Sequence, residues 1–328
     1  MTTVLDRLRM WRDLTRADWT PEEPDIEAGR EAEEFLRTLV ETNLKHKGAY
    51  CFLGKRVPSL RHRRRFEIDL VVLTKKHLHF IEVKNWSGEL EEVGESWVQT
   101  KRSGEQIEHP NLARYNSEKR DVVVEYLQSK GVKLDATYFA QKVIFMNSRL
   151  RIGSSIALRP EIVTPDRLEE YLATQRGASR AERFVHSVVE ICLDSEKSSV
   201  ILDGLFHAMS GGCFAAARDA LSGLETWDKV VLHGGRVLSG DALKLYGGSG
   251  TLDLKALPSG SSCPVKWNRA RIPGLIQSFF LSYPLGTMRL PDNRRVAVRP
   301  SDVIKFHAAG DERPSELPMK NIDMVIRG

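Results

Sequence analysis

Between residues 26 and 44 the apolar positions Ala32, Phe35, Leu36, Leu39, Val40 and Leu44 recur at intervals of three and four, with Glu31, Glu34, Arg37 and Glu41 on the other faces. This period predicts an amphipathic helix, with Glu33 beside the apolar stripe. Shorter runs rich in strand formers follow over residues 49–53, 66–73 and 78–84, and a further strand is expected over 97–101. A second helical period over 113–128 turns Tyr115, Val122, Val123, Tyr126 and Leu127 inward, and the run 138–146 reads as a buried strand. Residues 162–165 and a short helix over 166–172 close the region. Helix, several strands, helix, strand is the order of an α/β sandwich.

Two regions flank this unit. Near the N-terminus Leu5, Leu8 and Trp11 fall on a different side of a helix from Arg7, Arg9 and Arg12, and Thr3 with Asp6 forms a capping box. Asp6 and Asp13 argue against a transit peptide. Pro21-Glu22-Glu23-Pro24 ends the helix and leaves residues 1–26 as an arm docked on the body. Beyond the α/β unit, placed at 27–175, a helix over 181–192 makes residues 176–200 a connector. Residues 201–328 are denser in Gly, Pro and short strands. Gly234-Gly235 within 230–238 signals a two-residue hairpin, because both residues adopt positive φ readily. A second hairpin is expected around Pro291-Asp292-Asn293, with strands over 303–306 and 322–326, which makes this a smaller β-rich domain of barrel or sandwich type.

Composition narrows the class. A chain of 328 residues, 41% hydrophobic and 28% charged, has material for two cores and is neither a disordered tail nor a fibre. Lys and Arg exceed Asp and Glu by only five, so the placement of charge matters more than its sum. Cys51, Cys192, Cys213 and Cys263 lie far apart with no C-x-x-C, which suggests neither a disulfide framework nor a four-cysteine zinc site. An intracellular, reducing home is the simplest reading, with cytoplasm and nucleus not distinguished. No stretch reaches the roughly 20 apolar residues of a membrane span, so no membrane partner is expected.

The chemistry concentrates in residues 66–84. If the two strands turn symmetrically about Lys75 and Lys76, Asp69 stands opposite Glu82 and Glu67 opposite Lys84, and Asp69, Glu82 and Lys84 share one face. Two carboxylates with Cβ atoms about 5 Å apart repel by roughly 3 kcal/mol at an effective dielectric near 20. A positive charge must offset this, and a divalent cation with oxygen ligands is the natural candidate.

An acid in one strand followed by Glu-x-Lys in the next resembles the D…(D/E)-x-K core of the restriction-endonuclease-like nucleases. The longer pattern is similar to the nuclease-related domain (NERD) family: Gly29…Glu33 in a helix, Ile68-Asp69-Leu70-Val71-Val72, and Ile81-Glu82-Val83-Lys84-Asn85-Trp86-Ser87-Gly88, with Ile162-Val163-Thr164-Pro165 resembling its close. The resemblance spans about residues 27–173. It implies an α/β/α sandwich with a central mixed sheet and metal-dependent hydrolysis of phosphodiester bonds in DNA, using Mg²⁺ or Mn²⁺. In that reading Asp69 and Glu82 are metal ligands with the Val83 carbonyl, Glu33 is a further ligand or holds a water, and Lys84 orients the attacking water. Where relatives carry Gln after an Asn-Pro, this chain has His109-Pro110-Asn111-Leu112-Ala113-Arg114, offering Arg114 or Asn116. That departure either alters substrate positioning or marks a module that binds nucleic acid or a protein without cutting.

Each residue also has a plainer reading. Glu33 alone is a solvated helix acid, and Lys84 pairs with Glu67 across the strands for about 0.2–1 kcal/mol. Arg61, Arg63, Arg64 and Arg65, with Lys55 and Arg56 upstream, either deliver phosphate-binding charge beside the site or form a solvated loop. Lys101, Arg102, Lys119 and Arg120 are weaker candidates, and recognition of the backbone rather than of bases is expected. His77 and His79 could be a metal pair on one strand, and Trp86 and Trp97 are packing residues or stack on a base. The β-rich domain has room for a protein partner, and the oligomeric state is open.

Overall fold

The computed structural model describes residues 3–44, 48–59, 65–176, 208–248, 250–269, 275–276, 286–309, 311 and 313–328. Arg61, Arg63, Arg64, Cys192 and the expected 181–192 helix lie outside them. The chain divides into two compact units, Glu27–Leu224 and a second composed of Met1–Ile26 with Glu225–Gly328.

In the first unit helix α2 (Pro24–Leu44) precedes strands β1 (Tyr50–Pro58), β2 (Arg65–Leu73) and β3 (Leu78–Lys84). Then come β4 (Gly88–Val93), β5 (Ser96–Thr100), β6 (Gln106–Pro110), α3 (Leu112–Ser129) and β7 (Phe139–Phe145). After these are β8 (Leu150–Ile152), α4 (Ser154–Ala157), β9 (Ile162–Val163), α5 (Leu168–Arg176) and α6 (Gly211–Ser222). The central sheet has the order β1-β2-β3-β7-β9 and is mixed, because β3, β7 and β9 run parallel. A smaller sheet, β6-β5-β4-β8, diverges after β3.

The layers follow from side-chain alternation. Leu36 and Val40 of α2 and Leu172 of α5 pack with Leu70, Val72, Ile81 and Val83 on one face. Val123 and Leu127 of α3 and Ala217 and Leu221 of α6 pack with Val71, Leu73, Leu78 and Phe80 on the other. This is the expected α/β/α sandwich. Phe35 departs from its predicted stripe and is exposed.

The β2–β3 pairing keeps the predicted register, with Leu70 opposite Ile81 and Leu73 opposite Leu78. It ends at Leu70. Phe66 and Ile68 join the same cluster as Val71 and Leu73, so the alternation slips by one across Asp69. The β1–β2 ladder also skips the Gly54–Asp69 position, where Gly54 takes φ +57°. Asp69 thus lies where the sheet is irregular on both sides, and its carboxylate is released from a regular strand position to face the β3 backbone.

Residues 211–224 belong to the α/β unit, because α6 covers its core. The N-terminal segment, with helix α1 (Val4–Thr15) and the predicted Thr3–Asp6 capping box, groups with the β-rich unit: the Thr20 N–H donates to the His233 carbonyl, and the Arg236 N–H donates to the Thr20 carbonyl.

In that unit β10 (Asp228–Leu232) and β11 (Val237–Gly247) form the Gly-Gly hairpin, with Gly234 and Gly235 at φ 110° and 102°. The other strands are β12 (Gly250–Asp253), β13 (Ser262–Trp267), β14 (Gly286–Arg289), β15 (Arg295–Val298), β16 (Val303–Ala308), β17 (Ser315–Pro318) and β18 (Ile322–Ile326). Among the described residues they make one nine-stranded sheet, ordered β15-β14-β13-β18-β10-β11-β16-β17 with β12 on β11. Val230, Ile304, Phe306, Ile322 and Val325 fill its core. Among the described residues no helix is long and apolar enough to cross a membrane.

Candidate active site

The C-terminal end of β3 carries the chemistry. Glu82 is buried, and its two oxygens face two lysines: Lys84 Nζ donates to Oε1 at 2.8 Å, and Lys119 Nζ, from α3, donates to Oε2 at 2.5 Å. Lys119 is itself buried, with its ammonium 4.9 Å from the centre of the Tyr115 ring. Asp69 accepts the Val83 N–H at 2.8 Å, and Lys84 Nζ stands 3.8 Å from the same carboxylate. The Asp69 side chain thereby takes the N–H that the ended β2–β3 ladder leaves open.

The electrostatics follow from crowding. Burial and the neighbouring Glu82 raise the pKa of Asp69 above the ordinary carboxylate value, against Lys84 and Lys119. Burial also disfavours the Glu82 anion, but the fields and hydrogen bonds of Lys84 and Lys119 prevail and hold its pKa low. Desolvation works against the Lys84 ammonium, yet Asp69 and Glu82 keep its pKa above normal. On α2, Glu33 is pushed up to about 8 by burial, then by the charges of Asp69 and Glu67. Glu33 therefore belongs to the same electrostatic cluster, which a solvated helix acid would not.

The positive charge demanded by the Asp69–Glu82 pair is supplied within the protein by two lysines. Among the described residues no three His, Cys, Asp or Glu side chains form a group that could hold a metal ion. The donors fit a hard cation held by two carboxylates together with other oxygens, a mode usual for Mg²⁺.

Lys119, which the sequence offered with Arg120 only as a weaker nucleic-acid-binding candidate, is buried against Glu82. Its signal was legible: Tyr115, Lys119, Val122 and Tyr126 share the inward face of α3, so a lysine falls in the apolar stripe. Asn116, beside it, is a structural latch that donates to the carbonyls of Phe80 and Lys142 at 3.2 and 3.0 Å. Arg114 is exposed on the first turn of α3, capped by Asn111.

The other candidates separate by burial. Arg65 is exposed at the start of β2, whereas Arg56 is buried within β1 and Lys55 donates to the Leu224 carbonyl. Lys101 pairs with Glu105 at 3.3 Å and Arg102 is exposed in the adjoining turn. His79 is buried on the Tyr171 hydroxyl, and burial, then His77 and Lys142, lowers its pKa to about 3, the behaviour of a neutral core histidine. Trp97 is wholly buried, and Trp86 stacks on His109 with ring centres 3.9 Å apart.

Two features of the motif position this site. The Asn85 side chain donates to the Ala28 carbonyl at 2.9 Å, tying the end of β3 to the first turns of α2, the helix that carries Glu33. Gly88 adopts φ +93°, and a Cβ there would run into the Thr100 carbonyl, so only glycine lets the chain turn from the central into the smaller sheet.

Asp69, Glu82 and Lys84 thus meet at the end of a central strand of an α/β/α sandwich. The family model of the nuclease-related domain (NERD) matches residues 28–146, the segment that runs from α2 to the end of β7. No curated protein and no solved structure matches the chain.

Proposed function

We propose that the Glu27–Leu224 unit is a divalent-metal-dependent nuclease that hydrolyses phosphodiester bonds of DNA. The observation that carries this reading is the convergence of Asp69, Glu82 and Lys84 at the open end of β3, inside the segment that matches the nuclease-related family. Asp69 and Glu82, with the Val83 carbonyl, would hold Mg²⁺ or Mn²⁺. Such an ion polarises a phosphoryl oxygen and makes a bound water more acidic. Lys84, whose side chain is 22% exposed, offers an ammonium at the solvent edge that neutralises charge at the scissile phosphate and orients the water. Glu33, protonated near neutrality, supplies a hydrogen-bond donor beside the two anions.

One observation favours a second reading, a module that binds nucleic acid without cutting it: Lys119 already occupies Glu82 Oε2. Purified wild type and Lys84→Ala are therefore compared on circular and linear, single- and double-stranded DNA and on RNA, with Mg²⁺, Mn²⁺ or chelator. Metal-dependent cutting by wild type alone establishes the nuclease and its substrate class. Salt-sensitive binding with no cutting in any ion establishes the second reading.

A further inference from the structure

The first three strands of the β-rich sheet, β15, β14 and β13, are sorted by sign. Cys263, Val265, Met288 and Val298 turn inward to the core. The opposite face is formed by Ser262, Pro264 and Lys266 of β13, Thr287 and Arg289 of β14, and Arg295 and Ala297 of β15. Lys266 is opposite Thr287, and Arg289 is directly opposite Arg295. All three basic residues are exposed, and no acid lies on this face of the three strands. The only carboxylate of the connecting turn, Asp292, is held by Arg294 through both its backbone N–H and its guanidinium. Arg289 rests on the neutral Asn293 amide oxygen.

Like charges directly opposite one another destabilise a strand pair. An edge strand gains protection from one charge, and β15 ends the sheet among the described residues. Two arginines facing each other exceed that need and place two guanidinium groups on one exposed face, a residue type suited to phosphate oxygens. We propose that the β14–β15 hairpin, with Lys266, is a second nucleic-acid contact that grips the phosphate backbone of DNA. The choice of DNA as the polyanion rests on the nuclease-related reading of the other unit. The contact carries no sequence information, because its donors are charges on a smooth sheet face rather than groups placed against base edges.

The test uses the full chain, a duplex DNA of arbitrary sequence and chelator, and follows affinity through a salt titration for wild type, Arg289→Ser/Arg295→Ser and Lys84→Ala. Removing two phosphate contacts lowers the slope of log affinity against log salt by about 2 and weakens binding about tenfold or more at moderate salt. Thermal melting of the double variant is expected to match or exceed that of wild type, because the opposed charges are gone. Binding and slope unchanged in the double variant overturn the proposal. Wild type that binds in this way but does not cut when Mg²⁺ or Mn²⁺ replaces the chelator removes the nuclease reading and leaves this contact standing. Wild type that cuts while the double variant binds normally does the reverse.

Discussion

Lys119 Nζ lies 2.5 Å from Oε2 of Glu82, with both side chains about 95% removed from water (6% and 5% exposed). A buried ion pair of this kind adds little to net stability, because desolvation consumes most of the attraction, but it makes each partner depend on the other. Glu82 keeps its charge inside the sandwich because a helix lysine and a strand lysine both reach it.

Lys119→Met is expected to destabilise the α/β unit by about 3 kcal/mol, since it strands a buried carboxylate that retains only Lys84. Replacing the pair together, Glu82→Leu with Lys119→Met, is expected to recover most of that loss. Denaturant midpoints of the two variants and wild type check the difference, and equal losses in single and double variants would contradict the pairing.

Glu33 gives the site a pH dependence on the alkaline side. Its pKa in the folded protein is raised to about 8, so its stabilising proton is fully retained below the ordinary carboxylate pKa and lost as pH rises through 8. Wild type in chelator should lose stability relative to Glu33→Gln between about pH 5 and pH 9. A divalent cation should reduce this difference by compensating the charge. Melting curves across the range with and without Mg²⁺ read both effects.

His79 acts on the acid side. Its pKa is lowered from 6.5 to about 3, so its contribution is whole above pH 6.5 and is lost as pH falls. Each unit of that fall costs up to about 1.4 kcal/mol. His79→Gln cannot titrate, and its stability should be flatter between about pH 6.5 and pH 4. An identical acid limb in wild type and variant would assign the loss to other groups.

Gly88→Ala and Gly94→Ala separate backbone strain from contact. Both glycines have positive φ, but only at Gly88 would a Cβ meet the Thr100 backbone, while Gly94 has open space. Gly94→Ala should cost about 1 kcal/mol, and Gly88→Ala about 3 kcal/mol or more because the paired strands β4 and β5 must separate there. Thermal midpoints rank the two.

What the sequence determined by itself is the local and the periodic. Apolar residues spaced at three and four placed α2 and α3. The symmetric turn at Lys75-Lys76 set the register seen from Leu70 to Leu73, and Gly234-Gly235 located its hairpin. Asp69, Glu82 and Lys84 were legible because charged residues in nearly apolar strands need a buried reason. β4 was not, since only Leu90 of its six residues is buried among acids, and α6 was obscured by the two glycines that open it. Only the tertiary structure decided that Lys119 neutralises Glu82, that Glu33 feels three other carboxylates, and that Arg289 faces Arg295. These facts join residues far apart in the chain or across a strand pair, and their energies depend on burial and distance, which periodicity does not encode.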